Sequence, residues 1–84
     1  MVEVDPVTGL TPGEEKEIRS KLTSFYAENN ITPLYQGSYW AFASTIKKKS
    51  TQEAQIELNK WNSRGLNKMF LLTIAKNICN KDLV

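Results

Sequence analysis

The chain has 84 residues, one cysteine (Cys79) and no histidine. Lacking histidine, it has no ordinary general base for neutral pH, none of the commonest metal ligand and no Cys/His nucleophile pair. A net charge of +2 and a 40% hydrophobic content exclude a disordered tail and a strongly basic nucleic-acid arm.

A chain this short forms one domain and buries only roughly 60–65% of its unfolded surface, so its core must be dense or shared with a partner. Residues 1–10 read as a flexible arm, because Asp5-Pro6 and Thr8-Gly9 interrupt any regular element. The start of the sequence lacks the basic-then-apolar order of a secretory signal, and one cysteine suits a reducing, cytoplasmic setting. The domain is expected over 11–84.

The first helix is expected over 12–29. Thr11, Pro12 and Glu14 supply an N-cap, a first-turn proline and a capping box. Ile18, Leu22, Phe25 and Tyr26 recur at helical spacing, and Asn29-Asn30 suits a left-handed C-cap. The second helix is expected over 33–48. Thr32-Pro33 repeats the earlier start, and Tyr35, Tyr39, Phe42 and Ile46 follow one stripe. Gly37 opposes it, at a cost of about 1 kcal/mol. The alternative is an α+β fold with a hairpin at 31–46 on three helices. That reading needs a strand buried on both faces, so the helix explains the pattern better.

Ser50 to Glu53 form a second capping box for a helix over 51–63, with Ala54, Leu58 and Trp61 inward and Gly65 as its stop. The last helix is expected over 66–80. Leu66, Met69, Phe70, Leu71, Ile74, Ala75, Ile78 and Cys79 make it apolar over more than half its circumference, as for a helix that is central or covered by a partner. A pattern at Phe42, Thr45, Ile46 and Lys48 returns at Phe70, Thr73, Ile74 and Lys76, which favours helix at both places. The fold class is therefore all-α, a compact four-helix domain.

Charge is split along the chain. Residues 1–46 carry three bases and six acids; residues 47–84 carry eight bases and three acids. Acidic and basic elements packing together explains this split better than a nucleic-acid face. The candidate nucleic-acid residues are Lys47, Lys48, Lys49, Lys60, Arg64 and Lys68, a surface for nonspecific phosphate binding. A helix-turn-helix reading of the last two helices fails, because the second offers too narrow a polar face to read bases.

Tyr35, Tyr39, Trp40 and Trp61 are the candidate protein-binding residues, being large aromatics that exceed what one small core requires. Cys79 reads as a buried structural thiol. No phosphate loop, metal-spaced ligand set or nucleophile elbow is present, so no enzyme, cofactor, metal or small-molecule substrate is expected. No segment is long and apolar enough to span a membrane. The expected function is a small noncatalytic binding module (adaptor, inhibitor or regulatory subunit) acting on a protein partner or on itself as a homo-oligomer. The alternative is a nonspecific nucleic-acid binder using the basic C-terminal half.

Overall fold

In a computed structural model, which describes residues 3–84, four helices follow one another: α1 (Pro12–Asn29), α2 (Pro33–Ile46), α3 (Thr51–Ser63) and α4 (Lys68–Asn77). The all-α expectation holds, and the hairpin at 31–46 is replaced by α2. Gly37 is carried inside that helix because tertiary packing of Tyr39, Phe42 and Ile46, each at most 4% exposed, outweighs its low propensity.

Local chemistry sets the helix ends. Thr11 Oγ1 accepts from the Glu14 N–H at 3.2 Å, and the Thr11 N–H donates to Glu14 Oε1 at 3.0 Å, so the first capping box is complete. Asn30, with φ 54° and ψ 43°, turns the chain out of α1. The second box is half made. Ser50 Oγ accepts from the Glu53 N–H, but no return bond from Ser50 to the Glu53 carboxylate forms among the described residues. Thr32 caps nothing with its side chain, and Pro33 alone marks the start of α2.

Two boundaries differ from expectation. α2 stops at Ile46, and Lys47 to Lys49 form a turn closed by the Lys49 N–H on the Ile46 carbonyl. α4 begins at Lys68 because extended Asn67 is its cap, accepting from the Phe70 N–H at 3.2 Å. It ends at Asn77, and the left-handed Asn80 (φ 56°) turns the chain away. The last residues return to α3, where the Gln55 amide donates to the Val84 carbonyl and accepts from its N–H.

The core is Leu10, Ile18, Leu22 and Phe25 with Tyr39, Phe42, Ile46, Leu58, Leu71 and Ile74. α1 packs on α2, α2 on α3 and α4, and α3 on α4; α1 has no comparable contact with α4. Residues 1 and 2 of the expected arm lie outside the described residues. From Asp5 onward the arm is a closed turn: the Asp5 N–H donates to the Leu10 carbonyl, and Leu10 is fully buried. The apolar last helix finds its cover inside the chain, with Leu71, Ile74 and Ala75 at 0% exposure. No helix among the described residues is long and apolar enough to cross a membrane.

Candidate protein-binding groove

Because α1 and α4 both lean on α2 without packing along each other, a groove of about 570 Å³ remains between them. One flank of α1 supplies Lys21, Ser24, Phe25 and Glu28, spaced at i, i+3, i+4 and i+7. α4 supplies Met69, Phe70, Thr73 and Asn77. The floor is the Phe25 ring set edge-on against Phe70, centroids 5.5 Å apart at 90°. Met69 stands at the rim, 72% exposed.

A smaller hollow, which shares Asn29 and Phe70 with this groove, carries it on to Ile31, Tyr35 and Tyr39. Tyr35, half exposed, is thus the groove's continuation on α2. The apolar strip crosses three helices. Its rim mixes one cation and one carboxylate, Lys21 and Glu28, with amides and hydroxyls.

The four expected protein-binding aromatics go to different places. Tyr35 is the one at this groove with an exposed ring. Tyr39 is a core residue: its ring packs edge-on to Phe70 and its hydroxyl accepts from the Asn67 N–H at 3.1 Å. The expected inward stripe therefore starts at Tyr39. Tyr35 lies one turn earlier, beyond the place where Asn67 and Phe70 cover α2. Trp40 is half-buried on the other flank of α1, under the Arg19 guanidinium at 4.1 Å. Trp61 is half-buried at the end of α3, under Arg64 at 4.9 Å.

Two of the six candidate nucleic-acid residues pair with carboxylates of the chain. Lys48 Nζ lies 2.9 Å from Glu14 Oε2 and Lys49 Nζ 3.4 Å from Glu57 Oε1, which ties the end of α2 to α1 and to α3. Of the two pairs, Lys48–Glu14 joins the acidic N-terminal half to the basic C-terminal half, whereas Lys49 and Glu57 both lie in the basic half. Hydrogen bonds from the Thr11 N–H and then Lys48 pull the Glu14 carboxyl down to about 2. Lys60 and Lys68 are exposed, Lys47 is half-buried, and Arg64 lies over Trp61.

Burial pushes the Cys79 thiol up to about 11, and its Sγ lies 3.4 Å from the Ala43 carbonyl oxygen, as expected of a structural thiol. Burial likewise raises Tyr26 to about 12; its hydroxyl donates to the Gln36 carbonyl at 2.7 Å. Among the described residues no three potential metal ligands come together.

Sequence reasoning missed Met69 and the pairing of Phe25 with Phe70. The first was readable: at 100° per residue, Met69 lies roughly 140–200° around the helix from Leu71 and Ile74. The second rests on how α1 and α4 both seat on α2, which no local pattern specifies. No protein-family model matches this chain, nor does any curated protein or solved structure.

Proposed function

We propose that the protein is a small noncatalytic binding module acting through protein–protein contacts, with the α1–α4 groove as its docking surface. The observation that carries this reading is the groove itself: an aromatic floor between two helices, open to solvent, with Met69 exposed at its rim. Flexible, polarizable methionine is favoured where a surface must accommodate a partner's side chains. The lining runs over residues 69–78 of the chain, about 14 Å if wholly helical, which matches two to three turns of a partner helix. The occupant is therefore an amphipathic helix that sets two apolar residues against Phe25, Phe70 and Met69.

The single buried cysteine supports a reducing, cytoplasmic setting. A nucleic-acid role draws less support, because Lys48 and Lys49 are already paired with Glu14 and Glu57. The test is selection of helical peptides from a displayed library, followed by NMR mapping on labelled protein. The reading predicts peptides with apolar residues at i and i+4, and shifts concentrated at the Met69 methyl and the Phe25 and Phe70 rings. Selected peptides that shift the Lys60 and Lys68 surface instead would contradict it.

A further inference from the structure

A second opening lies on the other flank of α1, and its chemistry differs. A cleft of about 310 Å³ between α1 and α2 is lined by Arg19, Thr23, Tyr26, Gln36, Gly37 and Trp40, with Leu22 behind them. Arg19 is its one charged residue. The guanidinium carbon lies over the Trp40 ring, 4.1 Å from its centroid, and among the described residues no carboxylate pairs with it and no acceptor takes its N–H groups. A cation–π contact uses no N–H donor as a conventional hydrogen bond does, so these donors stay available for a planar, bidentate acceptor.

Gly37 supplies an independent observation. Inside a helix, glycine is a poor choice, yet a Cβ built there meets nothing within 4 Å and the backbone is in no left-handed region. Neither packing within the chain nor backbone geometry requires glycine at this position. Gly37 does line the cleft, and there its bare backbone leaves room for a ligand that a side chain would take up.

We propose that this cleft is a binding site for a single carboxylate on an apolar stem, such as an acidic residue of a partner peptide. Arg19 holds the carboxylate by its N–H edge, and Trp40, Tyr26 and the bare backbone at Gly37 receive the stem. A carboxylate fits better than a phosphate. One cation balances one negative charge, and the acidic start of α1, with Glu14, Glu15 and Glu17, disfavours a dianion. This site is separate from the α1–α4 groove and does not depend on that groove's role.

The test uses 3-phenylpropionate as probe, with 3-phenylpropanamide and phenyl phosphate beside it. The indole N–H resonance of Trp40 is followed by NMR, and that of Trp61 serves as internal control. The carboxylate is expected to shift Trp40 and not Trp61, with a Kd on the order of 1–10 mM for a ligand of this size. The neutral amide should bind at least about fivefold more weakly, as should the Arg19→Gln variant. Gly37→Ala should raise Tm by about 3–8 °C while weakening the probe severalfold, an opposition that a merely structural glycine cannot produce. Equal binding of acid and amide would overturn the proposal. So would tighter binding of phenyl phosphate, or Gly37→Ala binding that matches the parent.

Discussion

The two flanks of α1 are built differently. Toward α2 the seam is bonded across: Leu22 is fully buried, the Tyr26 hydroxyl donates to the Gln36 carbonyl, and Lys48 ties its far end to Glu14, with the Arg19–Trp40 cleft opening beside these contacts. Toward α4 the helices are joined by one aromatic contact, Phe25 on Phe70, under an open groove. One helix thus has a flank joined to its neighbour by buried and hydrogen-bonded contacts and a flank joined by an aromatic pair beneath a groove. Scattered exposed apolar residues such as Ile56 on α3 are ordinary; the proposed docking role rests instead on Met69, Phe70 and Tyr35 lying along one groove and its continuation.

The sharpest way to break this contrast is to remove packing on the α2 side. Leu22→Ala is expected to cost about 2–5 kcal/mol, read from chemical denaturation. A loss under about 1 kcal/mol would mean that the seam is not close-packed. Next comes Tyr26→Phe, which leaves the Gln36 carbonyl without that donor and should cost about 0.5–1.5 kcal/mol. The same variant should alter the alkaline limb. Because the folded tyrosine titrates near 12 and the unfolded one near 10, its contribution is complete below pH 10 and is lost as pH rises through 12. A thermal-melt series across that range should be flatter for the phenylalanine variant.

At the acid end the sign reverses. Glu14 titrates near 2 when folded, against 4.5 for the ordinary carboxyl, so its contribution is present above 4.5 and lost as pH falls toward 2. Glu14→Gln should reduce that acid-dependent loss, as followed by circular dichroism. The smallest effect belongs to the open flank. Met69→Ser should change stability by no more than about 0.5 kcal/mol, because the side chain is already in water. A large loss there would make Met69 a core residue and remove the contrast.

How far the sequence announces this arrangement depends on the range of the interaction. Thr11, Pro12 and Glu14, Ser50, and Gly65 mark helix ends through bonds within a few residues, and the structure places those ends accordingly. The repeated Phe-x-x-Thr-Ile pattern put helices at both sites, yet Phe42 is fully buried and Phe70 stands half-open at the groove. The sequence cannot tell them apart, since only the absence of α1 along α4 separates their surroundings. Tyr35 and Tyr39 show the same limit: equal on the wheel, they differ because Asn67 and Phe70 reach only one of them. Nothing local to the lysine triplet specifies the partners of Lys48 and Lys49, since Glu14 and Glu57 come from other helices.

The most direct test of the open flank as the binding surface is calorimetric titration of a library-selected helical peptide into the parent, Met69→Glu and Ile56→Glu. Both substitutions put a charge at an exposed apolar position, but only one of them lines the groove. The account predicts at least about a tenfold loss of affinity for Met69→Glu, about 1.4 kcal/mol, and none for Ile56→Glu. Unchanged affinity in the Met69 variant, or equal losses in both, would contradict it.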